Sequence, residues 1–276
     1  MPSEERVVQR PHGCVAYDVL GDGPPVVLGH SLLCDARMWE GLLDPLAERF
    51  RVLNVEFRGH RRSRADAPFA LDDLVEDYLA VLDAEALDRA AFCGLSMGGM
   101  VALRLALRYP ERVGALAILD SNAGPEGAVR RLRFRLMAEI YRRAGLVGLL
   151  QGPVLKQMLG RSTLRGRPEL AASLVERIRE HDPVQLYRVI RAVIDRGAFP
   201  GRLGDIACPT LVLVGDEDVA TPPERSRRIQ EGIAGAKLHV IPAAGHLSAL
   251  EQPETVLGHL LPFLERHLLE TPVSSR

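Results

Sequence analysis

The sequence has 276 residues and a formal net charge of -1, since 36 aspartate and glutamate residues nearly balance 35 lysine and arginine residues. A chain of this length can bury one large hydrophobic core or two ordinary ones. The balanced charge gives no indication that the chain binds nucleic acid or an anionic membrane through bulk electrostatics.

The cysteines and the amino terminus bear on where the chain works. Cys14, Cys34, Cys93 and Cys208 are widely spaced and fit no metal-binding pattern, which predicts a reduced chain without disulfides. Residues 1–6 lack the basic and apolar regions of a secretory signal, and no apolar run is long enough to cross a bilayer. We expect a cytoplasmic protein that needs no membrane and no metal. A homo-oligomer is compatible with these features.

Up to residue 122, stretches typical of strands alternate with stretches typical of helices. A turn at 11–13 divides residues 6–20 into two short strands, which predicts an edge hairpin. The continuous apolar run at 25–30 predicts a central strand that is covered on both faces. Further strands are expected at 51–57, before Ser96 and at 112–119, and helices at 38–50, at 71–82 and after Ser96.

Residues 123–204 interrupt this alternation. Helical stretches at 128–150, 168–180 and 183–196 follow one another without a comparable strand. Alternation then resumes with a strand at 210–214, a helix at 222–232, a strand at 237–241 and a helix at 254–269. We therefore expect an α/β core formed by residues 1–122 and 205–276, with a mostly parallel sheet covered by helices on both faces, and an all-helical cap formed by residues 123–204.

The candidate nucleophile is Ser96, in the stretch Gly94-Leu95-Ser96-Met97-Gly98. An apolar strand precedes this stretch and a strong helix former follows it, so the chain has to turn sharply at the serine. Glycines on either side remove the Cβ atoms that would collide in such a turn. A G-x-S-x-G turn between strand and helix is typical of a nucleophile elbow.

A base and an acid are sought in the loops after the last two predicted strands, because functional groups of open α/β sheets gather at the carboxyl ends of strands. His246 follows the last strand, and an imidazole can accept and return the serine proton near neutral pH. Asp218 lies furthest into the loop after the preceding strand and is the favoured acid. Asp120, at the end of an earlier strand, is the alternative. The acidic loop could also be only a turn before Thr221, which is predicted to begin a capping box with Glu224.

Acyl transfer also needs hydrogen-bond donors for the developing oxyanion. The backbone amide of Met97, directly after the nucleophile, is one predicted donor. The second is expected in the loop after the strand at 25–30, where Leu32 is the candidate.

These stretches resemble the α/β-hydrolase superfamily over nearly all of residues 12–268 except the helical insertion. Most members carry a similar motif where His30-Ser31-Leu32 and Arg58-Gly59-His60 stand here. The runs Met38-Trp39, Arg51-Val52-Leu53 and Phe92 to Met100 are similar to 3-oxoadipate enol-lactonases and related esterases. The chain departs from the common pattern at Leu33, at Arg61 and at Ser31, which replaces a glycine and would allow its hydroxyl to join the oxyanion site.

The resemblance implies a serine hydrolase that cleaves a small carboxylic ester or lactone with Ser96, His246 and Asp218 and without a cofactor. The same three residues could instead serve a C–C bond hydrolase of the diketone type or a cofactor-free perhydrolase. A ligand receptor that keeps the fold without turnover is the alternative from another class.

Six arginines crowd the first predicted cap helix: Arg130, Arg131, Arg133, Arg135, Arg142 and Arg143. One interpretation is a solvated basic face. The other is that an arginine on the face shared by Arg131 and Arg135 points toward Ser96 and binds a carboxylate of the substrate, as a bidentate guanidinium can. We therefore treat Ser31, Arg131 and Arg135 as candidate substrate-binding residues.

Overall fold

Strands and helices alternate along the chain in a computed structural model that describes residues 3–199 and 201–270. The strands are β1 Glu4–Arg10, β2 Gly13–Leu20, β3 Pro25–Gly29, β4 Arg51–Glu56, β5 Arg64–Ala65, β6 Ala90–Leu95, β7 Val113–Leu119, β8 Thr210–Gly215 and β9 Lys237–Ile241. The helices are α1 Glu40–Ala47, α2 Asp73–Ala84, α3 Met97–Arg108, α4 Ala128–Ala144, α5 Gly148–Met158, α6 Arg161–Gly166, α7 Pro168–Arg179, α8 Pro183–Ile194, α9 Pro223–Gly232, α10 Ser248–Glu251 and α11 Pro253–Leu268. Short 3-10 turns lie at Ala36–Trp39, Pro110–Arg112 and Leu203–Asp205.

The strands form one sheet in the order β1-β2-β4-β3-β6-β7-β8-β9, with β5 paired to β2. In the stretch β4-β3-β6-β7-β8-β9 of this order, every neighbouring pair is parallel. Strand β2 runs antiparallel to β1, β4 and β5. The predicted edge hairpin and the mostly parallel sheet are therefore confirmed. Parallel strands of one sheet end at one edge, so the loops after β3, β6, β7, β8 and β9 lie near one another.

Burial follows the position of each strand in the sheet. Every residue of β6 and β8 is buried, as expected for parallel strands covered on both faces. The edge strand β1 instead shows exposed and half-buried residues in alternation. Helix α1 packs against α11, and α2 packs against α3. All four helices also contact the sheet. Their apolar residues complete a continuous core that includes Leu28, Leu53 and Phe92.

Five helices, α4 to α8, follow one another between β7 and β8, and the described residues between 123 and 204 contain no strand. The helix predicted at 128–150 is two helices, because Gly145 takes a φ of 67° and ends α4. The short helix α6 was not predicted. Helices α4 and α8 pack together, and α8 also contacts β5 in the sheet.

Candidate active site

Ser96 lies in the turn between β6 and α3, with φ 53° and ψ -107°. A positive φ is costly for a residue with a Cβ atom and persists only where the surroundings enforce it. The Ser96 amide donates to the Leu119 carbonyl of β7 at 2.8 Å, which ties the turn to the neighbouring strand. A Cβ atom on Gly94 would lie 2.3 Å from the carbonyl carbon of Gly98, so the strand and the helix approach too closely for any other residue at position 94.

His246 and Asp218 come to Ser96 from the loops that follow β9 and β8. The Nε2 atom of His246 lies 2.7 Å from Oγ of Ser96. On the other side of the ring, Nδ1 lies 2.9 Å from Oδ2 of Asp218. Asp218 also accepts hydrogen bonds from the amides of Ala220 and Thr221, at 2.8 and 2.9 Å. The structure thus brings the three predicted residues into one hydrogen-bonded chain.

The protonation states of this chain follow from burial and from the contact between the two ionisable groups. Burial alone would raise the pKa of Asp218, but the His246 charge and the hydrogen bonds from His246 and Thr221 outweigh it and hold the pKa below its usual value. Burial alone would lower the pKa of His246, yet the Asp218 carboxylate raises it above its usual value. Asp218 is therefore ionised at neutral pH, which fixes the imidazole with Nδ1 protonated and Nε2 facing the serine.

Asp120, the alternative acid, has no hydrogen bond to His246. Its Oδ1 accepts from the Gly215 amide at 2.8 Å, and its Oδ2 accepts from the amide and hydroxyl of Ser248 at 3.1 and 2.5 Å. Burial, together with the nearby Asp218 charge, raises the pKa of Asp120 well above its usual value. Asp120 therefore connects the end of β8 to the start of α10, and the carboxylate that contacts His246 is that of Asp218.

Thr221 is a member of the site that sequence reasoning missed. Its hydroxyl lies 2.7 Å from Oδ2 of Asp218 and 3.1 Å from Nδ1 of His246. The capping box predicted to begin at Thr221 is absent, because α9 is capped by Pro222 without a side-chain hydrogen bond. The available sequence signal was that Thr221 follows Asp218 by three positions, a spacing at which an aspartate can accept hydrogen bonds from the later residue. In the structure, both the amide and the hydroxyl of Thr221 bond the Asp218 carboxylate.

The two predicted oxyanion donors, Met97 and Leu32, lie in the segments that follow β6 and β3. Met97 is the first residue of α3, so its N–H has no intrahelical carbonyl to bond. Leu32 follows β3, and the Gly98 amide donates to the His30 carbonyl at 3.2 Å, which holds this loop against the start of α3. Leu32 and Ser31 both line the cavity that contains Ser96 and His246. The Ser31 hydroxyl itself donates to the Leu32 carbonyl at 3.3 Å.

The cavity above Ser96 has a volume of about 170 Å³ and lies between the sheet and the inserted helices. Phe134, Met137 and Ala138 of α4 and Ile190 and Val193 of α8 form much of its wall. Further apolar side chains from α5 and from the segment before it extend this wall: Leu146, Leu150, Val154 and Met158. The cavity therefore suits an apolar ligand that places a polar group near Ser96.

Neither Arg131 nor Arg135 reaches this cavity, so the structure does not support them as substrate-binding residues. Both side chains are exposed, and Arg135 pairs with Asp195 of the same insertion. Arg130 is the arginine of α4 that lines the cavity, and it donates to the Ala220 carbonyl at 2.6 Å. The sequence could not show which arginines of α4 face the cavity, because the helix carries apolar residues on both its inner and its outer face.

Arg130 belongs to a group in which three arginines share one carboxylate. Glu126 accepts hydrogen bonds from Arg196 at 3.0 Å and from Arg225 at 2.9 Å, and the Arg130 Nε lies 3.5 Å from its Oε2. Glu126, Arg130 and Arg196 all line the cavity. This part of the cavity lining thus carries an excess of positive charge.

The described residues, 3–199 and 201–270, also bear on two other kinds of site. No group of three or more histidine, cysteine, aspartate or glutamate side chains in this part of the chain could hold a metal ion. None of its helices is both long and apolar enough to span a membrane.

Comparison with known proteins identifies what the chain resembles. A family model described as the alpha/beta hydrolase fold matches residues 24–253. The pimeloyl-acyl-carrier-protein methyl ester esterase of Nitrosomonas europaea is 28% identical over 257 residues, which cover 87% of this chain and 95% of the esterase. The 3-oxoadipate enol-lactonase 1 of Acinetobacter baylyi is 28% identical over 84% of this chain and 85% of the lactonase. The resemblance to enol-lactonases and esterases expected from the sequence is confirmed.

A solved structure gives the same result for the fold. A thermophilic esterase from Thermogutta terrifontis superposes with a TM-score of 0.88 and 28% identity, and the match covers 97% of this chain and 100% of the esterase. The inserted helices are therefore included in the similarity.

Proposed function

Because the chain is a hydrolase that belongs to the alpha/beta hydrolase fold family, we propose that it cleaves a small carboxylic ester or lactone through an acyl-enzyme intermediate on Ser96. The observation that carries this proposal is the hydrogen-bonded chain from Ser96 through His246 to Asp218, which opens into an apolar cavity. Both curated relatives described above act on an ester or lactone bond, as their names state.

In the first half of the reaction, Nε2 of His246 takes the Ser96 proton over 2.7 Å while Oγ attacks the carbonyl carbon. Asp218 stabilises the imidazolium that forms. The amides of Leu32 and Met97 hold the carbonyl oxygen as it becomes negative. The imidazolium then gives its proton to the leaving alkoxide, and the acyl group stays on Ser96.

Water completes the cycle by the same route. His246 takes a proton from water, the hydroxide attacks the acyl carbon, and the proton returns to Oγ of Ser96 as the carboxylic acid leaves. For a lactone, the alcohol and the acid are parts of one product, so nothing has to leave before water attacks. Water is the second substrate of these steps, and its OH group ends in the carboxylic acid.

The size and lining of the cavity support a small acyl group. An apolar cavity of about 150 Å³ is known to hold benzene, and the cavity here is only slightly larger at about 170 Å³. We infer an acyl group with an apolar body of about six to eight non-hydrogen atoms. An anionic group on the substrate would meet Arg130, where positive charge is in excess.

We also propose that residues 123–204 act as a cap over a core formed by residues 1–122 and 205–276. Helices α4 and α8 supply the cavity wall opposite Ser96 and His246, which supports this division. The cap would then select the substrate, while the loops of the core perform the chemistry.

Turnover assays on the purified protein test the proposed function. We expect hydrolysis of a short-chain p-nitrophenyl ester or an enol-lactone, abolished in Ser96→Ala. Faster turnover of a vinylogous diketone would favour the C–C bond hydrolase, and hydrogen-peroxide-dependent peracid formation would favour the perhydrolase. Thermal stabilisation by esters without any turnover would identify a ligand receptor and refute the proposal.

A further inference from the structure

Glu251, the last residue of α10, is a carboxylate with only 1% of its surface exposed. Its Oε1 accepts hydrogen bonds from the amide of Gly245 at 2.9 Å and from the amide of Leu247 at 3.2 Å. These are the two amides on either side of His246. One carboxylate oxygen therefore holds the backbone from which the imidazole projects.

The other oxygen of Glu251 faces the insertion. Its Oε2 accepts from the Gly160 amide at 2.8 Å and from the Thr163 hydroxyl at 2.5 Å, both at the start of α6. The two backbones touch at this point, since a Cβ atom on Gly245 would lie 2.1 Å from the Gly160 nitrogen. The histidine loop and α6 are thus joined through a single buried side chain.

A second glutamate holds α6 against the loop that follows β8 and carries Asp218. Glu217, adjacent to Asp218, accepts hydrogen bonds from the Ser162 amide at 2.7 Å and from Nε of Arg161 at 3.0 Å. Helix α6 is consequently attached to both loops that carry the partners of Ser96.

We propose that Glu251 is a positioning residue for His246, which holds the imidazole in line with Ser96 by binding the backbone on both sides of it and bracing that backbone against α6. The proposal rests on the proposed role of His246 as the base. Four donors bond the Glu251 side chain, and a carboxylate has two oxygens to accept them. A side-chain amide has only one acceptor oxygen. Its charge also acts on the imidazole: besides burial and Asp218, Glu251 is among the groups that set the pKa of His246, and it raises that pKa.

The variant Glu251→Gln tests this role because it keeps the size of the side chain and removes its charge and one acceptor. We expect kcat for a p-nitrophenyl ester to fall at least about tenfold, since small misplacement of a catalytic group is costly. The acid limb of the kcat/KM profile should shift to lower pH, because the imidazolium loses a stabilising charge. A residue with only a structural role would not move that limb.

Glu85→Gln is a matched control. Glu85 is also a buried carboxylate, with a side chain 1% exposed and hydrogen bonds from Tyr17, Arg6 and Arg51. It follows α2 and contacts Arg51 at the start of β4, at the end of the parallel strands away from Ser96. This variant should lose stability but keep the parental kcat and the parental acid limb.

Thr163→Val provides a second variant in case Glu251→Gln does not fold. Loss of the Thr163 hydroxyl should lower kcat at least about threefold while leaving KM within about twofold, and Thr163→Ser should restore kcat. If Glu251→Gln folds, a parental kcat together with an unshifted acid limb would overturn the inference. If Glu251→Gln does not fold, a parental kcat in Thr163→Val would overturn it. If Ser96→Ala is inactive in the same assay, such a result leaves the proposed function intact. Activity that survives in Ser96→Ala would refute the proposed function itself.

Discussion

The hydroxyl of Thr221 lies 2.7 Å from Oδ2 of Asp218, the same carboxylate oxygen that faces the His246 ring. The Thr221 amide donates to the other oxygen, Oδ1, at 2.9 Å. Thr221 therefore contacts both oxygens of Asp218 and limits the rotation of the carboxylate. Its hydroxyl is also 2.8 Å from the Asp120 carbonyl, and because a hydroxyl has one proton, it can donate to only one of these oxygens at a time.

The first prediction concerns this hydroxyl. Thr221→Val keeps the shape of the side chain but removes the donor, and we expect kcat for a p-nitrophenyl ester to fall by about three- to tenfold. Thr221→Ser, which keeps the hydroxyl, should retain kcat within about twofold. Steady-state kinetics on the three proteins provides the measurement. Equal activity of the valine and serine variants would show that the hydroxyl contributes nothing to Asp218.

The second prediction concerns the nucleophile. Ser96→Ala should fold normally, with an unchanged thermal transition, and lose at least about three decades of esterase activity, because the catalytic unit fails without its nucleophile. A fluorophosphonate probe should label Ser96 alone, as peptide mapping by mass spectrometry can establish. Labelling of a different serine would contradict the mechanism.

A third prediction compares the two aspartates near His246. Asp218→Asn should lower kcat by about three decades, because the asparagine favours the wrong imidazole tautomer. Asp120→Asn should have an effect below about tenfold, because Asp120 bonds Gly215 and Ser248 and not the imidazole. Both variants need a folding control by circular dichroism. A larger loss for Asp120→Asn would require Asp120 to be the acid.

The fourth prediction concerns the cap arginines. Arg130→Ala should raise KM for an ester that carries a distal carboxylate at least about tenfold, equal to 1.4 kcal/mol, and leave KM for a neutral ester of equal size nearly unchanged. Arg131→Ala is the matched control from the same helix, because Arg131 is exposed and does not line the cavity. If Arg130→Ala affects both esters equally, the substrate is an uncharged apolar ester.

The fifth prediction concerns stability in acid. His60 lies in ring contact with His30 and His181, with centroids 4.5 and 5.3 Å apart. Burial lowers the pKa of His30 and of His181 to about 4, and the pKa of His60 is also well below its usual value. In the unfolded chain these histidines titrate near pH 6.5. Below about pH 6.5 the unfolded state therefore binds more protons, and the free energy of unfolding decreases as the pH falls.

Each buried histidine contributes up to about 1.4 kcal/mol per pH unit to this decrease. Urea unfolding between pH 7 and pH 5 should show it, a range in which most carboxylates stay ionised. His181→Phe keeps an aromatic ring against His60 and should give a shallower pH dependence. An identical slope in the parent and in His181→Phe would exclude a contribution from His181.

The sheet and the elbow could be predicted from the sequence because local signals specify them. The apolar runs of β3, β6 and β8 are buried on both faces, and the glycines around Ser96 fit only a tight turn. The order of strands along the chain then placed Asp218 and His246 at the same edge of the sheet. These features depend on short stretches of sequence and on one rule of topology.

The remainder depends on contacts between distant segments, which single-sequence patterns do not encode. Thr221 looked like a helix cap because its local pattern fits one, but a neighbouring carboxylate competes for the hydroxyl. The direction of α4 was ambiguous because Leu132 and Leu136 are exposed, at 61% each, while Met137 and Ala138 face the cavity. Apolar residues on both sides of a helix remove the periodic signal that reports its buried face.

The insertion leaves the sheet at the end of β7 and returns at the start of β8, and these strands pair directly, with Leu119 opposite Leu213. A single crossover between adjacent strands can change in length without altering the register on either side. Recombination within one contiguous stretch of the gene would therefore exchange all the helices between β7 and β8, and with them much of the cavity wall, in one event. Such an exchange would succeed only if the incoming helices supplied donors for Glu217 and for Oε2 of Glu251, which would otherwise lose their partners beside the loops of Asp218 and His246.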